Sequence, residues 1–341
     1  MAYGFLVTAA VGAPSAVDVF TQWRVHIPVL VLLLAAAGLY GWGMLRVRRR
    51  HPARPWPLPR AAAFLAGLGV IAIALMSIVS VYDTTFFWVH MIQHLLLIMV
   101  APALLVTGRP LILALHASRN PLHTVLKRIL RSRPVTILTW PLVATALYAL
   151  VVVGTHLTSF NNLVVTNRTA QVLEQVAYLV VGYLYFLPGF GDEPIRWRLP
   201  YLGKMLLLLL VMPIDTFTGI ALLMTNQEPW PAYVAQHHTW GPSPLTDVHW
   251  GGAAMWIGGD TIMIILLLAA LFPWLAGHSR TGNRLRWIEQ ARRANLDRYL
   301  AATPGAADLA SAHSDVDEDQ VRLDAYNAWL AQMAERDARH S

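Results

Sequence analysis

The chain has 341 residues, 56% of them hydrophobic and only 13% charged, with a mean hydropathy of +0.48. Soluble domains carry nearly twice that share of charge, so the composition excludes an ordinary soluble fold and predicts a polytopic membrane protein. Cysteine is absent and the net charge is +7; disulfides, thiolate metal sites and a CxxC copper shuttle are thereby excluded, leaving His and Met for any soft-metal chemistry.

The opening residues lack a basic stretch ahead of a modest apolar run, so a cleaved signal peptide is not expected. Apolar stretches near the ~20 residues needed to cross a bilayer run over 27–45, 61–81, 88–106, 135–155, 170–188, 201–224 and 251–275. They predict an all-α fold of seven transmembrane helices. Basic residues crowd alternate connections: Arg46, Arg48, Arg49, Arg50, Arg54 and Arg60 in the first, Arg109, Arg119, Lys127, Arg128, Arg131 and Arg133 in the third, Arg196, Arg198 and Lys204 in the fifth. The positive-inside rule then puts the N-terminus outside and the C-terminus inside, and it accounts for the basic charge without a nucleic-acid partner. The expected organisation is an extracytoplasmic arm over 1–26, a membrane domain over 27–276 and a cytoplasmic tail over 277–341, with tail helices at 283–301 and 315–339.

The third span, FFWVHMIQHLLLIMVAPALLVTGRP at 86–110, holds the most informative pattern. His90 and His94 are four residues apart, hence on one helix face and about 6 Å apart along the axis. A histidine at membrane depth costs free energy unless it is paired or metallated. The pair can ligate copper with a third donor from Met91, Met255, His156 or the sixth connection, or it can be an interhelical hydrogen-bond pair. The topology gathers His26, His156, His237, His238 and His249 on the same outer side. Asp215 and Asp260 are isolated carboxylates in the sixth and seventh spans, able to orient a histidine or to pair with a Thr. Asp83 is expected to cap the third span. The sixth connection, 225–250, lacks Lys and Arg and carries Trp230, Tyr233, Trp240 and Trp250, which suits a cap at the headgroup level. Met205, Met212, Met224, Met255 and Met263 form either a thioether path or core filler.

These motifs resemble the CtaG family of cytochrome c oxidase assembly proteins, of the polytopic type. The resemblance rests on HMIQHLLL followed by APALLVTGRP, on TWPLVATALY followed by the THL of His156, and on DVHWGGAAMW entering the seventh span, and it covers about 39–273. It implies a non-enzymatic assembly factor in a bacterial plasma membrane whose partners are oxidase subunits, a periplasmic copper donor and the lipid bilayer. The implied copper site draws on His90, His94, His156 and His249, supported by Asp260, Glu174 and Asp215. The family carries His-x-x-Glu-His in the fifth span, whereas Gln171 to Gln175 here reads QVLEQ: Glu174 is kept and both histidines are glutamines. Either copper is held without them or the chain acts as a scaffold. Two other classes fit the residues, a haem-binding membrane oxidoreductase with axial histidines and a proton- or cation-coupled transporter using Asp215 and Asp260.

Overall fold

The structure, a computed structural model, describes residues 17–272 apart from 51, 53, 54, 191, 192, 198 and 236–239, together with 13, 15, 327, 328 and 331. Apart from residues 327, 328 and 331, which are helical, the expected tail helices lie outside the described residues, as do His237 and His238. The chain divides into two compact units, Met1–Ala270 and Leu271–Ser341.

Among the described residues the elements are helices and turns. In chain order the long helices are Ile27–Arg50 (α1), Leu58–Tyr82 (α2), Phe87–Ala117 (α3), Pro141–His156 (α4), Arg168–Phe190 (α5), Tyr201–Leu223 (α6) and Pro244–Phe272 (α7). Six are long and apolar enough to cross a membrane; α4 becomes a seventh if it is joined to Phe160–Thr166, from which it is bent by 72°. Their number and apolarity fit a multi-pass membrane protein. The expected fourth span is divided, because Pro141 forces Trp140 out of the helical region (ψ 126°) and starts α4 afresh after Arg133–Leu138.

α3 lies at the centre. Its first half packs with α4 to α7 around Phe87, Met91, Leu97, Tyr148, Tyr178 and Val211, and its second half packs with α1 and α2 around Tyr40, Phe64, Leu68 and Leu105. The Gly-Arg-Pro exit shows why those residues are there. A Cβ at Gly108 would lie 2.6 Å from Phe64 Cβ, and Tyr40 OH donates to the Gly108 carbonyl at 2.7 Å. Arg109 takes a left-handed conformation (φ 54°), and Pro110 then opens the last segment of α3. Glu193, wholly buried in the α5–α6 connection, accepts the Ile112 N–H at 3.0 Å; burial raises its carboxyl to about 7.

Two π-helical segments interrupt the ladder, Leu96–Val100 in α3 and Ala254–Gly258 in α7. In α3 the Ala101 N–H reaches back to Leu96 O, and Pro102 has no N–H to give to Ile98 O. That carbonyl faces Gly182 of α5 so closely that a Cβ there would sit 2.1 Å from it. Glycine is thus what lets α5 lie against α3. Gly219 of α6 and Gly252 of α7 make a similar close approach.

Candidate metal centre

Each helix presents a stripe of buried residues at helical spacing, and the polar members of those stripes meet at one end of the bundle. In α3 the stripe contains His90, Gln93 and His94; in α5 it contains Gln171, Glu174 and Tyr178; in α4 it contains Tyr148, Val152 and His156. His90, His94 and Glu174 each offer one ligand atom, all within 4.8 Å of one another, and all three residues are buried. Glu174 Oε2 lies 3.6 Å from His90 Nε2 and 3.4 Å from His94 Nε2. Neither His90 ring nitrogen, nor His94 Nε2, nor either Glu174 oxygen has a hydrogen-bond partner.

The tautomers of two rings follow from their neighbours. His156 Nδ1 is 2.8 Å from the Val152 carbonyl, which can only accept, so Nδ1 carries the proton and Nε2 keeps its lone pair. Nε2 lies 3.2 Å from His94 Nδ1, which must then be the donor. The lone pair of neutral His94 is therefore on Nε2, which lies 3.4 Å from Glu174 Oε2. Tyr178 fixes this arrangement, stacking on the His94 ring at 3.9 Å while its hydroxyl bonds Thr155 at 2.6 Å. Lone pairs that face a carboxylate in a dry interior repel, and leaving such groups unpaired costs several kcal/mol. A cation bound among His90 Nε2, His94 Nε2 and Glu174 Oε2 would serve all three donors at once. Donors on one metal with bonds near 2 Å sit roughly 3 Å apart, close to the two His–Glu separations. The donor set, two imidazoles and a carboxylate, suits a borderline transition-metal ion.

The surroundings hold the cluster still. Asp83 Oδ2 accepts from Gln93 Nε2 and Gln171 Nε2, both at 2.9 Å, and Gln175 Nε2 donates to Gln93 Oε1 at 3.3 Å. Burial raises the Asp83 carboxyl to about 7, tempered by the Gln93 amide. Asp83 therefore does not cap α3 as expected. That role falls to Asp247 of α7, which accepts the Phe87 and Trp88 N–H groups at 2.7 and 3.0 Å, while the N-cap position of α3 is Phe86, three residues beyond Asp83. The sixth connection folds back over the helices: Trp230 packs on Phe87 at 4.5 Å, and Tyr233 OH donates to the Asp83 carbonyl at 3.1 Å. His156 lines both a cavity of about 320 Å³, shared with Thr158, Thr225 and Trp230, and a small internal one of about 10 Å³.

The remaining candidates have other hydrogen-bond partners. His249 Nε2 bonds the Thr225 carbonyl at 2.9 Å. Asp215 accepts from Tyr148 OH at 3.2 Å, and Asp260 accepts from Thr216 Oγ1 at 3.0 Å. His156 stands behind His94 as its hydrogen-bond acceptor, while Glu174, expected in a supporting position, faces both histidines. The signal for Glu174 was its place in the QVLEQ stripe; nothing in the sequence indicated its distance from His90.

The model of the cytochrome c oxidase caa3 assembly factor family matches residues 38–277. Uncharacterized proteins of Mycobacterium bovis and Mycobacterium tuberculosis are each 30% identical over 334 residues, which cover 94% of this chain and 46% of theirs. One of Mycobacterium leprae is 30% identical over 279 residues, covering 80% of this chain and 42% of its own. The chain thus spans less than half the length of these curated relatives. No solved structure matches. With the family match extending from α1 to the end of α7 and including every residue of the buried cluster, the chain belongs to the cytochrome c oxidase caa3 assembly factor family.

Proposed function

We propose that the protein assists assembly of cytochrome c oxidase by holding copper, as cargo, at His90, His94 and Glu174. The observation that carries this reading is the set of buried, unpartnered donors converging from two helices, with the His94 lone pair fixed by His156. His156 acts behind the site, raising the basicity of His94 and setting its orientation. Two imidazoles and one carboxylate hold a copper ion less firmly than a closed thiolate cage, which suits cargo that must be released.

On this reading the end of the bundle that holds the cluster faces the outer side of a bacterial plasma membrane, which the arginine-rich alternate connections support through the positive-inside rule. The 320 Å³ cavity reaches His156, whose ring bonds His94, and is the approach to the site that this reading uses. Oxidase subunits and a periplasmic copper donor are the partners this reading requires. A haem has no comparable support: the space shared by His94 and His156 holds about 10 Å³, and among the described residues lining the 320 Å³ cavity His156 is the one histidine, which leaves no second axial ligand there.

The test is copper stoichiometry of the purified full chain, wild type against His90→Ala/His94→Ala. Wild type is expected to retain copper through desalting and the double variant to lose it. Equal copper in the two would overturn the reading.

A further inference from the structure

A cavity of about 10 Å³, the room of one water or one bare ion, lies against the His94 and His156 rings in the interior of the bundle. Three methionines from two helices line it: Met91 and Met99 of α3 and Met255 of α7, which are 1%, 0% and 4% exposed. Asp215 of α6 and Tyr148 of α4, joined by the tyrosine hydroxyl at 3.2 Å, line it too. A buried carboxyl group among thioethers is an unusual neighbour for methionines that serve only as packing.

The backbone gives a second, independent sign. Both π-helical segments among the described residues contribute to this cavity, Leu96–Val100 through Met99 and Ala254–Gly258 through Met255. A π-turn adds a residue to the helical circuit and turns the side chains that follow away from regular spacing, and such turns concentrate at functional sites. Here both re-aimed segments meet at one void.

We propose that this cavity is a second cation position, specific for a monovalent soft ion held by Met91, Met99 and Met255 beside the His94–His156 pair. Thioethers are neutral, soft donors that select Cu(I) over Cu(II) and over hard divalent ions. The Asp215 carboxyl group supplies the single opposing charge a monovalent ion needs at this depth. Because the void has room for one water only, the ion enters stripped of its hydration shell, which again favours the weakly hydrated Cu(I). The identity of the ion rests on the copper reading above. The His–Glu site and the thioether site then share His94 as a common wall.

The test uses the full chain in detergent, titrated anaerobically with Cu(I) against a chromogenic Cu(I) chelator, together with X-ray absorption at the copper edge. Wild type is expected to bind two equivalents with sulfur among the ligands. The near-isosteric Met91→Leu/Met255→Leu variant is expected to lose one equivalent and the sulfur signal, with Met205→Leu/Met224→Leu as a control that keeps both. One equivalent with only nitrogen and oxygen ligands in wild type would overturn this inference and leave the His–Glu reading intact. One sulfur-ligated equivalent that survives His90→Ala/Glu174→Gln would support the inference and overturn that reading. No copper at all would overturn both, and since the absorption measurement is made on wild type, a misfolded variant cannot obscure the answer.

Discussion

Gly182→Ala tests whether the contact between α3 and α5 sets the geometry of the candidate metal centre. The added Cβ would lie 2.1 Å from Ile98 O, 2.8 Å from Ile98 C and 2.8 Å from Pro102 Cγ, all shorter than real Cβ contacts, and two of the three are backbone atoms that cannot rotate away. The helices must separate locally by roughly 1 Å, an overpacking that costs about 1–3 kcal/mol. The better helix propensity of alanine offsets at most about 1 kcal/mol of this. Glu174 lies eight residues before Gly182 on the same helix, about 12 Å along the axis, so the separation opens the 3.4 and 3.6 Å distances to the histidines. Metal sites tolerate misplacement of about 0.5 Å, and copper affinity is expected to fall at least tenfold. Thermal unfolding in detergent and copper titration against a competing chelator measure the two effects. Gly69→Ala and Gly154→Ala are matched controls, because a Cβ at either meets nothing within 4 Å. If Gly182→Ala matched those controls in both melting temperature and copper affinity, the packing argument would be wrong.

The tautomer relay predicts that His156→Ala weakens copper binding about 10- to 100-fold while the number of His–Glu sites stays at one; loss of that equivalent would instead make His156 a direct ligand. His249→Ala, whose ring is occupied by the Thr225 carbonyl, is expected to leave copper affinity at the wild-type value. A third prediction concerns Glu193, where burial lifts the folded-state pKa from 4.5 to about 7. The folded protein then binds more protons than the unfolded chain between those values, so stability is greatest at the acid end and falls as pH rises from about 4.5 to about 7, by roughly 3 kcal/mol in all. Glu193→Gln is expected to flatten that part of the melting-temperature profile and to raise the value at pH 8; an unchanged slope would show that Glu193 does not titrate there.

The apolar stretches made the helices legible, because a run of about 20 residues can hide its backbone polarity in lipid only as a helix. The face shared by His90 and His94 was legible for the same reason, since a four-residue spacing fixes direction on a helix whatever the tertiary structure. Distances between helices were not. Glu174 reaches the histidines because Gly182 admits the Ile98 carbonyl, a contact across 84 positions of sequence that no local pattern encodes. Asp83 illustrates the opposite error: its position just ahead of α3 suggested a local cap, but Asp247, 160 residues from Phe87 in sequence, supplies the acceptor and frees Asp83 for Gln93 and Gln171. The π-helical segments have no composition of their own, although Pro102 within the APALLV stretch marks where the α3 ladder has to break.

The two glutamines standing where the resembled motif has histidines bear on how firmly the centre holds its cargo. Gln171 bonds Asp83 and Gln175 bonds Gln93, so both are committed to the polar layer that joins α3 to α5. Bonds on both flanks of Glu174 fix the rotation of α5 about its axis, and Tyr178 one turn further on stacks against His94. That rotation is what turns the Glu174 carboxyl group toward the histidine pair. The replacement therefore removes two imidazoles without dismantling the group that remains, leaving three donors where a tighter site would have more. Fewer nitrogen donors mean a lower affinity and a faster release. On the copper function proposed above, weaker retention at His90, His94 and Glu174 favours delivery over storage.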